Sequence, residues 1–361
     1  MLGSELPADL LNEIVKYIHS LRDYVRIGAV CKTWNLALPK TIPNHITTPL
    51  RLVLPSQERI HQFSIVPHLR MPELHNCFIA GSSFGWLFCV GIDRTLLVVN
   101  PLTKSRFNLP PIPTFSPVAY GRNIIEKPFI CMQRNFVTKI IFTCSPDHSK
   151  EFMAVANQRS RLAFCRSGDD TWTDIKHRGT WCKYEDIIYH DGKVYAIDDR
   201  YRLHEFDMKT ARGGWSGVSM PRGDGHSYNY AKYLAFNPEG DLLLLVRHFE
   251  FYLEPVYKSY KTCRVDVYKR NANKWMRECS LGNNVLVIGY NSPIWMSHIL
   301  DNKGNQLRNC ICFSDNMVEF HYRDRVGGHD VGIYNLEDGT VTQIFPNSDF
   351  IWPPPVWLSQ S

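Results

Sequence analysis

Three tryptophans, Trp172, Trp215 and Trp275, hold the same place in three successive groups of short strands, and this recurrence constrains the fold more than any other feature. Each group reads strand, turn, strand, turn, polar strand, then a strand with an aromatic residue or proline. Five such groups are predicted in order. The first runs Phe78–Ser82, Gly85–Val90, Thr95–Asn100, Arg106–Leu109. The second runs Lys139–Cys144, Glu151–Ala156, Arg161–Arg166, Trp172–Ile175, and the third Asp186–Tyr189, Lys193–Ile197, Arg202–Phe206, Trp215–Val218. The fourth is Tyr233–Phe236, Asp241–Val246, Arg264–Tyr268, Lys274–Arg277. The fifth is Ile294–His298, Asn309–Phe313, Val331–Asn335, Val341–Phe345. The Asp191-Gly192 pair is a hairpin signal, because both central residues of that turn need positive φ.

Four-stranded units repeating every few tens of residues mark a β-propeller. The ends of the repeat also carry strands. Leu50–Leu54 and His61–Val66 precede the first unit, and Ile351–Leu358 follows the last. Together they predict a sixth blade, so the expectation is an all-β propeller of six blades closed by its N- and C-terminal strands.

The first forty residues differ in kind. Leu10, Leu11, Ile14, Val15 and Ile18 fall at helical spacing, with Pro7 suited to a first turn and Asp9 and Glu13 favouring its N-terminal half. Asp23 is placed to cap a second helix through Tyr24, Val25, Ile27 and Val30. A third helix is expected around Lys32–Leu38, stopped by Pro39. So small a set of helices has more apolar face than it can bury internally, and a packing partner is implied. The boundary falls near residue 40, giving a helical segment 1–40 and a propeller 41–361.

Composition narrows the function classes. Net charge is +6 without a Lys/Arg block, which argues against a nucleic-acid arm or a membrane-surface patch. No apolar run approaches the ~18 residues of a transmembrane helix, and the N-terminus lacks the pattern of a signal peptide. Eleven cysteines without framework spacing point to a reducing compartment, nucleus or cytoplasm.

Candidate chemistry is sparse. Cys310-Ile311-Cys312 puts two thiols on one strand face, but no second pair follows at zinc spacing, so strand-face cysteines are expected and no metal. Gly327-Gly328-His329-Asp330 reads as a hydrogen-bonded turn rather than a catalytic pair, because no nucleophile or metal accompanies it. Asp169-Asp170 and Asp198-Asp199 read as hairpin tips. Arg122, Lys127, Arg134 and Lys139 bracket Phe129 and Phe136, a pattern read as solvated strand edges rather than a single-strand nucleic-acid site. Trp352-Pro353-Pro354-Pro355-Val356-Trp357 is expected to close the ring rather than serve as a polyproline ligand. No catalytic residue and no cofactor is expected. The Phe249–Thr262 insertion, with Tyr252, Tyr257 and Tyr260 among charges, is the candidate target-binding loop.

Certain residues resemble a known motif. Leu6-Pro7-Ala8-Asp9-Leu10-Leu11, Glu13-Ile14, Asp23, Arg26 and Val30-Cys31-Lys32-x-Trp34 resemble an F-box, starting almost at Met1. The remainder is similar to plant F-box proteins with a KIB-type β-propeller, long held as a domain of unknown function. The ordered matches are Gly81-Ser82-Ser83-x-Gly85-Trp86-Leu87, Leu97-x-x-Asn100-Pro101-Leu102-Thr103, Leu109-Pro110-Pro111, Gly327-Gly328-His329-Asp330, Asn335-Leu336-Glu337-Asp338-Gly339 and Trp352-Pro353-Pro354-Pro355-x-Trp357. This resemblance implies a substrate-recognition subunit of a Skp–cullin–F-box ubiquitin ligase, itself non-catalytic. Its implied partners are a Skp-type adaptor, a cullin through that adaptor, and a protein target held by the propeller. Leu6, Pro7, Leu10, Leu11 and Ile14 would face the adaptor, with Val30, Cys31 and Trp34 completing the surface and Trp34 its aromatic anchor. The competing classes are a propeller enzyme, marked by carboxylates or histidines converging at the channel, and a scaffold whose F-box no longer binds.

Overall fold

The computed structural model describes residues 6–18, 21–39, 51–54, 68–71, 74, 76–91, 93–115, 137–158, 160–178, 182–219, 230–253, 258–297, 299–300, 306–316, 328–345, 351 and 353–358. Three helices come first: α1 (Ala8–Lys16), α2 (Leu21–Gly28) and α3 (Lys32–Ala37). Asp23 lies inside α2 instead of capping it. A side-chain cap forms on α3, where the Cys31 sulfur accepts the Trp34 main-chain N–H at 3.5 Å. Among the described residues the first strand is Arg51–Leu54.

Five sheets of four or five strands follow, and these are the blades. Blade 1 is Phe78–Ser83, Trp86–Val90, Leu96–Val99, Arg106–Leu109. Blade 2 is Lys139–Phe142, Met153–Asn157, Leu162–Arg166, Thr173–Asp174. Blade 3 is Tyr184–His190, Lys193–Asp198, Leu203–Asp207, Arg212–Trp215, with Lys176–Arg178 added in parallel to its outer edge. Its first hairpin turns at Asp191 and Gly192, both at positive φ as the Asp-Gly signal required.

Blade 4 is Tyr230–Phe236, Leu242–Leu253, Lys258–Asn271, Lys274–Glu278. The expected insertion Phe249–Thr262 is therefore an extension of the two middle strands, paired from Leu243↔Lys269 out to Leu253↔Lys258. Blade 5 departs from expectation. Val285–Ile288, not Ile294–His298, lies beside Cys310–Phe313, and it does so in parallel. Ile294–Met296 is displaced to the edge, and Gly332–Asn335 and Val341–Gln343 complete the sheet.

Among the described residues five sheets have the four or five strands of a full blade, against the six blades expected, and His61–Val66 lies outside those residues. The two ends nevertheless meet: Arg51–Leu54 pairs antiparallel with Val356–Leu358 and parallel with His68–Arg70, making a three-stranded sheet. Apolar packing shows where that sheet sits. Val53, Val356 and Leu358 share a core with blades 1 and 2, while Leu52, Leu54 and Trp357 share one with blade 5. Alternate strand faces also join blade 2 to 3, 3 to 4, and 4 to 5. The partial sheet thus fills the gap between blades 5 and 1 and closes the ring. Proline suits this edge, and Pro353, Pro354 and Pro355 are all buried there.

Candidate functional site

The helical segment divides its apolar residues between two directions. Leu11, Val15 and Tyr24 are buried, and Ile18 and Leu38 pack on Val15 and Tyr24. Leu10 is 53% exposed, Ile14 39% and Val30 55%. Leu6 is half-buried and Pro7 exposed. Leu11 therefore turns inward together with Val15, one turn further on, instead of sharing the outer face with Leu10 and Ile14 as expected. Cys31 is half-buried and engaged as a cap, and Trp34 is half-buried with its indole nitrogen covered. Exposed Leu10, Ile14, Val30 and Leu36 leave an apolar surface open to a partner.

On the propeller, the C-terminal ends of the first strands of blades 1, 2 and 3 come together at one mouth of the ring. A cavity of about 510 Å³ opens there, lined by Ser83, Phe84, Thr143, His190 and Asp191 among others. Trp295 also lines this cavity. Ser292 donates to Ser83 Oγ at 3.1 Å, and His190 stacks on Phe236 of blade 4 with centroids 3.8 Å apart. Phe84 is 40% exposed and held at φ +49, an aromatic ring presented at the rim by a strained turn.

Below the mouth, buried charges join neighbouring blades. Lys139 Nζ lies 2.6 Å from Asp186 Oδ1, and Asp186 Oδ2 accepts the Leu234 N–H at 2.8 Å, linking blades 2, 3 and 4. Lys232 meets Glu185 at 3.0 Å, with Tyr201 and Tyr230 rings beside its ammonium. Burial lowers the Lys232 pKa and raises that of Glu185, each favouring its neutral form. Arg247, fully buried, donates to Ser314 O at 2.8 Å and Asn316 Oδ1 at 3.1 Å, linking blade 4 to blade 5.

The proposed target loop fares unevenly. Tyr252 is 46% exposed at the hairpin end. Tyr260 is fully buried, and its hydroxyl donates to Asp315 Oδ2 at 2.6 Å, so it belongs to the core and not to a target surface. Tyr257 lies outside the described residues. The basic and aromatic run from Arg122 to Phe136 and the residue Trp352 also lie outside them.

His329 and Asp330 have the tying role expected of them. His329 Nε2 bonds the Tyr260 carbonyl at 2.9 Å, and Asp330 accepts from the Thr262 N–H and hydroxyl at 3.1 and 2.6 Å. A Cβ on Gly328 would meet the Ile351 carbonyl oxygen at 1.8 Å, so only glycine fits. Cys310 and Cys312 are buried strand-face thiols, and the ten cysteines among the described residues are all unpaired. Asp198 is buried and saturated by hydrogen bonds rather than displayed at a tip.

A short helical segment with an open apolar face, followed by a closed ring of blades, is the architecture of a β-propeller protein with an N-terminal helical motif. The family model described as the KIB1-4 beta-propeller matches residues 54–335, and the chain belongs to that family. Similar proteins of Arabidopsis thaliana include F-box protein SKIP23, 24% identical over 99% of this chain and 95% of its own. F-box protein At2g26160 is 23% identical over 87% of this chain and 96% of its own. F-box only protein 7 is 22% identical over 94% and 90%. The chain is thus a plant-type F-box protein with a KIB-type propeller.

Proposed function

We propose that this chain is the substrate-recognition subunit of a Skp–cullin–F-box ubiquitin ligase. Its helices dock a Skp-type adaptor, which connects it to a cullin, and its propeller holds a protein target. The observation that carries this reading is the outward apolar set Leu10, Ile14 and Val30 on a segment whose inward set is already satisfied. An exposed helical face of this kind is best covered by a partner helix or groove.

The subunit would perform no chemistry. It would raise the local concentration of target lysines at the ubiquitin-loaded partner, an entropic contribution to rate. Targets would meet the channel mouth around Phe84 and His190, or the blade 4 hairpin end at Tyr252. Ligase assembly would take place in the nucleus or cytoplasm.

The test is adaptor pull-down with Leu6→Ala plus Pro7→Ala in the full chain, with propeller folding followed by thermal melting. Binding should be abolished while the main transition is retained. Undiminished binding overturns the assignment. Affinity capture with this same variant, which spares the target from degradation, then identifies what the propeller holds.

A further inference from the structure

Blade 3 contains a group of side chains that neither docking surface uses. His177 lies on the parallel edge strand Lys176–Arg178, Cys182 immediately precedes the innermost strand Tyr184–His190, and His204 lies on the third strand. One ligand atom from each of the three lies within 4.8 Å of the other two. His177 Nε2 and His204 Nδ1 are 3.3 Å apart. Two Zn–N bonds of about 2.0–2.1 Å at a tetrahedral angle separate their nitrogens by about 3.3–3.4 Å.

The surroundings decide which way the His204 lone pair faces. Its Nε2 is 3.0 Å from Asp198 Oδ2. Asp198 is itself fully buried. Its Oδ1 accepts the Arg200 and Arg202 main-chain N–H groups at 2.9 Å each, and its Oδ2 accepts Arg202 Nε at 2.7 Å. A carboxylate so engaged only accepts, so the His204 proton sits on Nε2. The Nδ1 lone pair then faces His177 and Cys182. A carboxylate on the far nitrogen is the usual outer support of a metal-bound imidazole, fixing its tautomer and ring plane. Tyr184, also buried, packs edge-on against the His177 and His204 rings.

We propose that His177 Nε2, His204 Nδ1 and Cys182 Sγ bind one zinc-class divalent ion. Two imidazoles and a thiolate suit zinc, whose sites with three protein ligands leave the fourth position to water. On binding, the Cys182 thiol proton leaves to solvent and the sulfur lone pair is given to the metal. The ion would clip the strand arriving from blade 2, and the entry to blade 3, onto the blade's third strand. The role is thus a cross-link in the ring.

The full chain, freed of metal with a chelator and dialysed, is titrated with Zn²⁺ and, separately, with Co²⁺. One ion per chain should bind, and Co²⁺ should give a thiolate-to-metal charge-transfer band. That band should vanish in Cys182→Ser and persist in Cys312→Ala, a buried thiol elsewhere. His177→Ala, on an outer edge where folding is least at risk, should lose binding. Asp198→Asn, which leaves all three ligands in place, should weaken it about 10–100-fold. Zn²⁺ should raise the melting temperature of the native sequence and not that of His177→Ala. Absence of binding by the folded chain, or an undiminished charge-transfer band in Cys182→Ser, overturns the site. The two imidazoles would then simply share a hydrogen bond.

Discussion

The Ser82 hydroxyl donates to the main-chain carbonyl of Trp357 at 2.6 Å, across 275 residues of chain. Both groups are buried, and this contact ties the innermost strand of blade 1 to the last strand of the closing sheet. This hydrogen bond and the packing of Trp357 contribute to ring closure beside the pairing of Arg51–Leu54 with Val356–Leu358 and the Ser292 hydrogen bonds to Ser82 and Ser83.

Ser82→Ala leaves the Trp357 carbonyl without this donor and should cost about 1–3 kcal/mol. Trp357→Ala, which empties a fully buried site, should cost about 3–5 kcal/mol or prevent folding. Urea midpoints measure both. A change within ~0.5 kcal/mol for either would show that closure does not depend on this pair.

Leu10 and Leu11 should behave oppositely. Leu11→Ala removes a buried side chain and should cost about 2–5 kcal/mol in the helical segment. Leu10→Ala should change stability by no more than ~0.5 kcal/mol yet weaken adaptor binding. Helicity during melting and adaptor affinity, measured on the same variants, separate the two roles.

Asp266 sets an acid limit on blade 4. Burial raises its pKa, but His248 at 2.9 Å and Arg264 and Arg277 at 3.0 and 3.2 Å outweigh this and hold it below the usual range. A folded-state pKa below the unfolded ~3.9 means the native state binds fewer protons there. The stabilisation is present above about pH 4 and is lost as pH falls through the folded-state value. The stability gap between the native sequence and Asp266→Asn should close as pH drops from neutral through this range. A gap independent of pH would exclude the pairing.

Tyr260→Phe removes a buried donor from Asp315 and should destabilise by about 1–3 kcal/mol. Tyr252→Ala, at an exposed position, should leave stability within ~0.5 kcal/mol, so any loss of captured target reports on binding alone. Differential scanning calorimetry and capture yield together distinguish them.

Local periodicity was readable where one strand follows the next. Blades 1 to 4 lie where the alternation and turns put them, and Trp172 and Trp275 are buried as blade markers. Trp215, in the matching place, is 56% exposed, one residue past the stretch Arg212–Gly214 that Lys176–Arg178 covers. In blade 5 two apolar runs competed for one position. Val285–Ile288 won by parallel pairing with Cys310–Phe313, which adjacency in sequence does not signal. Tyr260 was misplaced because its segment was read as a loop. Read as a strand, it shares a face with Thr262, and both are buried. The His177-x-x-x-x-Cys182 spacing was a visible hint of the blade 3 cluster. Its third member, His204, joins only through sheet pairing.

The amino-acid sequence by itself determined the helical spacing of the first forty residues, the repeated four-strand units and the F-box resemblance. These are short-range properties, expressed within one turn of helix or one hairpin. Tertiary structure alone decided that Leu11 points in and Leu10 out, that a sheet built from both chain ends closes the ring between blades 5 and 1, and that His177, Cys182 and His204 converge. Those outcomes depend on strand register and on contacts between distant segments. Such contacts form only when the closed ring repays the entropy of bringing its ends together.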